Sequence, residues 1–216
     1  MSCCTHCRDA GDFFDLKNAR KELHHYKKKG AITSTRLLID ALKSLEVNGK
    51  SLLDIGGGVG IIQHELFGHG LSRSVQVDAS RAYLEVSRDE SARLGFDDQT
   101  EYHYGDFVDL SPDLPDADLV TLDRVICCYP HMPELIAAST NKAKTWYGVV
   151  YPVERWYTRW GVKLVNLYFK LTKSDFRVYV HPEGKIESRI TGQGFSAIYK
   201  TKTLLWNIAV YQKSKV

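Results

Sequence analysis

The sequence predicts an α/β fold, a doubly wound, mostly parallel sheet of seven strands that ends in an antiparallel hairpin. Three observations in its 216 residues carry that expectation. Short strand-like apolar runs alternate with longer runs whose apolar residues recur at helical spacing, the pattern of a parallel sheet with helical crossovers. The first strand-like run opens directly into a glycine cluster and then a helix. The last two strand-like runs lie close enough in sequence to pair with each other.

Taken in order, residues 12–29 place Phe13, Leu16, Ala19, Leu23 and Tyr26 on one helical face, and Gly30 stops the pattern as a cap. A second amphipathic helix is expected over 33–45. Residues 51–55 read as a buried first strand, 61–67 as the helix behind it, and 74–77 as a second strand ending at Asp78. Helix follows over 81–94, a third strand over 101–104, and a fourth over 118–122, entered from the turn-rich segment 111–116. Residues 133–141 supply the next crossover helix and 147–151 the fifth strand. After Pro152 the pattern changes to a long aromatic helix over 154–171, read as an insertion. A helix after Pro182 and strands over 196–200 and 204–211 complete the chain. The expected organisation is one domain over 1–216, with a helical N-terminal cover at 1–47 and the helical insertion at 152–175.

Composition narrows the function classes. A formal charge of +3 from 29 basic and 26 acidic side chains does not call for a nucleic-acid partner. No apolar run suits a signal peptide, and none approaches the roughly 20 residues of a spanning helix, so a cytoplasmic protein is expected. The five cysteines, Cys3, Cys4, Cys7, Cys127 and Cys128, are odd in number and clustered, which fits free thiols rather than a disulfide framework. Cys3, Cys4, His6 and Cys7 lie too close together to close a tetrahedral metal site without help from elsewhere, for which Cys127 and Cys128 are available. No metal is expected.

The glycine cluster carries the chemistry. A buried strand that runs into glycines and then a helix brings a ligand against backbone N–H groups, where a Cβ would block the approach. Gly56, Gly58 and Gly60 stand at those positions, with Gly57 between them and Asp54 ahead. The dinucleotide fingerprint places its third glycine where this chain has Ile61, so the spacing departs from an NAD or FAD site. On Asp54-Ile55-Gly56-Gly57-Gly58-Val59-Gly60 the sequence resembles the class I S-adenosylmethionine-dependent methyltransferases, whose sheet is Rossmann-like and whose first motif is an acid followed by x-G-x-G-x-G. The resemblance extends to Asp78 at the end of the second strand, followed by Ala79, where an acid accepts hydrogen bonds from ribose hydroxyls. It includes Gly105-Asp106-Phe107, which looks like the family's adenine motif. Leu122 to Pro130 occupies the fourth motif, which faces the transferred methyl and in the family often has a His where this chain has Cys128. It covers 51–151 well and implies S-adenosylmethionine as cofactor.

A sulfonium methyl is already activated, so such an enzyme mainly aligns a nucleophile and excludes water. For a hydroxyl or carboxyl acceptor, Asp123, Tyr129 and His131 are the candidate bases by motif position, with Arg124 to orient an anionic group. Asp123 is also placed at the cofactor. Ile126 to Pro130 and the chain's size resemble the magnesium-protoporphyrin O-methyltransferases, which implies O-methylation of a large planar acceptor.

Two surrounding segments leave alternatives open. The helix over 154–171 mixes Trp156, Tyr157, Trp160, Leu164, Leu167 and Tyr168 with Arg155, Arg159, Lys163 and Lys170. It suits a lid over a small apolar acceptor, ordinary packing onto the sheet, or peripheral membrane contact. The first helix is basic, with Lys17, Arg20, Lys21 and Lys27-Lys28-Lys29. That charge reads as a solvated face or as a binding surface for an anionic acceptor, RNA or protein. In related methyltransferases the segment before the first strand often covers the cofactor, which gives Tyr26 a place at the site. A non-catalytic adenosylmethionine-binding module is the competing class.

Overall fold

The computed structural model describes residues 14–214, so Phe13, Cys3, Cys4, His6 and Cys7, with the expectations attached to them, lie outside the described residues. Seven strands form one sheet: β1 (Ser51–Ile55), β2 (Arg73–Asp78), β3 (Thr100–Tyr104), β4 (Ala117–Asp123), β5 (Ala143–Pro152), β6 (Phe195–Lys202) and β7 (Trp206–Lys213). Their order is β3-β2-β1-β4-β5-β7-β6. The first five are parallel, and β7 runs antiparallel to both β5 and β6. Strand order reverses between β1 and β4, and that switch point opens a crevice at the carboxyl ends of the strands.

Eight α-helices accompany them among the described residues: α1 (Leu16–Lys29), α2 (Thr33–Lys43), α3 (Ile61–Phe67), α4 (Arg81–Leu94), α5 (Phe107–Leu110), α6 (Met132–Lys142), α7 (Trp156–Leu171) and α8 (Glu183–Gly192). The central strands are covered on both faces, and alternate residues of the same strand feed two cores. Leu53, Val120, Val149 and Ala209 meet α6 and α8 through Leu135, Ile136, Ile186 and Ile190. Leu52, Leu119, Val150 and Ile208 meet α2 and α3 through Leu38, Leu42, Ile62 and Leu66. The second helix of the expected N-terminal cover is thus a sheet-packing helix.

Local chemistry sets most boundaries. Asp15 caps α1 by accepting from the Asn18 N–H, and Gly30 ends it at φ 76°. Ser80 caps α4 at Tyr83, and Gly95 ends it in the left-handed region. Helix α2 stops at Lys43 rather than Leu45, and α7 starts at Trp156 rather than Glu154. Strand β5 begins at Ala143, ahead of the expected Tyr147, because α6 passes into it with no intervening loop.

Candidate active site

The carboxyl ends of β1, β2 and β4 face a cavity of about 440 Å³, within the range of small-molecule pockets. Its floor is the loop after β1. Gly56 (φ 62°) and Gly58 (φ 58°) adopt left-handed conformations, and a Cβ on Gly56 would lie 2.4 Å from Val125 Cγ2. Both glycines line the cavity; Gly57 and Gly60 instead press into the protein, against Asp54 and Gln76 and against Ser87 respectively.

A buried polar network holds this loop from below. The Gln76 amide donates to the Gly58 carbonyl at 2.7 Å, and its oxygen accepts from Gln63 and Ser87. Asp54 is buried beside it. One carboxylate oxygen accepts from Thr121 at 2.6 Å, while the other, buried, has no hydrogen-bond partner. Burial, with Asp123 and Asp78 adding negative charge and Thr121 opposing, raises the Asp54 pKa to about 7. Asp54 supports the loop and does not line the cavity.

Asp78 does line it. Its carboxylate accepts from the Gly58 N–H at 3.0 Å and from the Ser80 N–H at 2.8 Å. Burial raises its pKa to about 6, against these hydrogen bonds. Ala79 adjoins it in the lining. Further along, Asp106 caps α5 by accepting from the Val108 N–H, and its two oxygens receive the Tyr129 hydroxyl at 3.0 and 3.1 Å. Phe107, buried, is the adjoining apolar wall.

At the end of β4, Asp123 accepts from the Thr35 hydroxyl at 2.5 Å. Its other oxygen stands 3.4 Å from the Arg124 Nε as an ion pair without hydrogen-bond geometry. Arg124 has φ 61°, uncommon for a non-glycine residue, and its N–H donates to the Val150 carbonyl. Burial works against the guanidinium's charge, yet Asp123 and Glu22 hold its pKa above the usual value. Cys127 and Cys128, both free thiols in the lining, lie 3.7 Å apart at sulfur. The hydrogen bond to Cys128 and burial push the Cys127 thiol up.

Two sequence-predicted residues lie elsewhere. Tyr26 is on the far half of α1, where its hydroxyl donates to Glu65 at 2.6 Å, and it does not line the cavity. His131 is exposed at the start of α6 and is absent from the lining. Sequence reading missed Phe14, Glu22, Tyr83, Phe169, Phe176 and Val178, all of which line the cavity. Phe14 stacks edge-on against Tyr83 and Phe176, and Phe176 against Phe169, with centroids 5.5 to 5.6 Å apart. The Ser80 hydroxyl donates to the Phe14 carbonyl at 2.6 Å, tying the start of the described chain to the Asp78 turn. The only local signal for any of these contacts was aromatic density. Among the described residues no cluster of three or more metal-ligating side chains occurs.

The residues fit an adenosyl ligand. Two carboxylates, Asp78 and Asp106, face the cavity as hydrogen-bond acceptors, and Gly56 and Gly58 leave its floor free of side chains.

Residues 53–144 match the family described as a methyltransferase domain. Over 74 residues the chain is 35% identical to the ribosomal protein L11 methyltransferase of Tolumonas auensis, which covers 34% of this chain and 25% of that protein. It spans about a quarter of the length of the curated relatives it matches first. The fold superposes on magnesium protoporphyrin IX methyltransferase from Synechocystis PCC 6803, crystallised with bound SAH, with a TM-score of 0.74 at 16% identity, covering 97% of this chain and 100% of that one. An O-methyltransferase family protein from Burkholderia thailandensis gives 0.67 at 12% identity, covering 93% and 63%. The chain therefore has the class I methyltransferase fold.

Proposed function

We propose that this chain, which matches the family described as a methyltransferase domain over residues 53–144, binds S-adenosylmethionine and methylates a small apolar or aromatic molecule, at oxygen. The observation that carries this reading is that one cavity joins two chemistries. Asp78 and Asp106 stand on its polar side, and Phe14, Val165, Phe169, Phe176 and Val178 make an apolar wall. Rings and aliphatic side chains recognise an apolar acceptor and exclude water from the reacting atoms.

Bound S-adenosylmethionine supplies a methyl group already activated by its sulfonium. In this reading Asp78 holds the ribose, Asp106 the adenine amino group, with Phe107 covering the ring, and Glu22 offers a carboxylate to the cationic amino group. In the same reading Asp123, held by Thr35 and Arg124, accepts a proton from the acceptor's hydroxyl. The Tyr129 hydroxyl is engaged by Asp106, which makes it a positioning residue for that carboxylate.

A second reading, methylation of RNA or protein, draws on the exposed basic residues of α1, among them Lys17, Arg20, Lys21 and Lys28. Incubation with methyl-labelled S-adenosylmethionine and fractionated cell extract separates the readings. Label in the organic-extractable small-molecule fraction is expected. Label confined to precipitable RNA or protein selects the second, and cofactor binding with no labelled product overturns both in favour of a non-catalytic module.

A further inference from the structure

Helix α7 has two unlike faces. Val165 and Phe169 line the cavity, and Thr158 and Phe169 are buried. At about 100° per residue, Trp156, Trp160, Leu164, Leu167 and Leu171 fall within an arc of about 80° on the other side. All five are exposed, Trp156 and Leu171 at 74% each. Single exposed apolar residues need no explanation, but a stripe of two tryptophans and three leucines on one helix marks an interaction surface. The hairpin between β6 and β7 extends it: Leu204 is 74% exposed, and the Tyr157 hydroxyl donates to its carbonyl at 2.9 Å.

Every charge within the helix is positive. Arg159, Lys163 and Lys170 lie along one flank of the stripe, with Arg155 just before the helix and Lys173 just after it. No Asp or Glu occurs within α7; Glu154, ahead of it, pairs with Arg159, and Asp175 follows. Aromatic and aliphatic residues on one side with cations beside them are what a helix needs to lie in a lipid interface and attract anionic headgroups. At 16 residues α7 is too short to cross a bilayer, and among the described residues no helix is long and apolar enough to do so.

We propose that the exposed face of α7, with the hairpin tip at Leu204, docks on an anionic lipid surface. Docking places Val165 and Phe169, on the helix's other side, between the lipid and the cavity. An apolar molecule dissolved in the bilayer then has the same helix as its nearest protein surface and as a wall of the pocket.

Flotation of the full chain with vesicles tests the docking without cofactor or acceptor, so its outcome is independent of the reading of the cavity. The vesicles are phosphatidylcholine alone and phosphatidylcholine mixed with phosphatidylglycerol. Binding to the mixed vesicles is expected, weakened by salt and accompanied by a blue shift of tryptophan emission. The double variant W160S/L164S should partition at least about tenfold less while its unfolding transition is retained, and Lys163→Glu should lose the preference for phosphatidylglycerol. Failure to bind mixed vesicles at low salt overturns the proposal, as does undiminished binding by W160S/L164S. Self-association abolished by W160S/L164S, without vesicle binding, overturns it in favour of a contact between copies of this chain.

Discussion

The Asp78 carboxylate accepts the Gly58 N–H at 3.0 Å, so the acid that ends β2 is tied to the glycine loop that follows β1. One side chain therefore shapes the loop and faces the cavity. Loss of it removes charge-assisted hydrogen bonds to Gly58 and Ser80 and, in the proposed reading, the contact to the ribose. Asp78→Ala should weaken S-adenosylmethionine binding about 10- to 100-fold, from ~1.5–3 kcal/mol for a hydrogen bond to a charged group. Calorimetric titration checks this, and unchanged affinity removes Asp78 from the site.

Gly56 is constrained twice, by φ 62° and by Val125 Cγ2 at 2.4 Å from the position of a Cβ. Gly56→Ala should destabilise the fold by about 1–3 kcal/mol, the usual cost of overpacking. Val125→Ala in the same chain should restore part of the loss, because it removes the clash and leaves the backbone strain. Thermal unfolding of the single and double variants measures both; an additive pair would show that Val125 is not the obstacle.

Much of this was legible because it is local. Strand β1 and helices α3 and α4 begin and end where the sequence predicts, since glycines and the Ser80 cap punctuate them. The acids Asp78, Asp106 and Asp123 were legible as cavity-lining positions because each ends a strand or follows one at the carboxyl edge of the sheet. The apolar wall was not found, because Phe14, Phe169 and Phe176 meet only after α1 and the insertion fold over the same crevice. Thr35 is 88 positions from Asp123, and Gln76 looks like an ordinary polar position in a strand, so neither announces its role. Tyr26 was misplaced along the helix axis: the helical pattern identified its face of α1 but not which half of that helix reaches the crevice.

Acid and base should act on stability through Asp54 with a defined sign. Its folded pKa of about 7 lies above the ordinary 3.8, so the folded protein holds this proton more tightly. The stabilising contribution is complete below about pH 4 and is lost as pH rises through 7. His64, kept neutral by burial down to about pH 4, acts in the opposite direction, so parent and variant are compared at each pH. Asp54→Asn should raise the melting temperature relative to the parent more at pH 8 than at pH 5.5. An equal difference at both would place the Asp54 carboxyl in solvent-like surroundings.

Tyr129 and Asp106 form a pair whose members should differ in cost. Tyr129→Phe removes one hydroxyl donor and should weaken cofactor binding by several fold, for about 1 kcal/mol. Asp106→Ala also removes the cap on α5 and should lower both affinity and melting temperature. Equal effects of the two on melting temperature would contradict the capping role.

The cavity's assignment to an adenosyl ligand underlies every reading of the site, and titration calorimetry of the full chain with S-adenosylmethionine and S-adenosylhomocysteine tests it most directly. Saturable binding of both, one molecule per chain and mutually competitive, is the predicted result. A folded chain that gives no binding heat and no thermal stabilisation with either, at ligand concentrations up to about 1 mM, would contradict it.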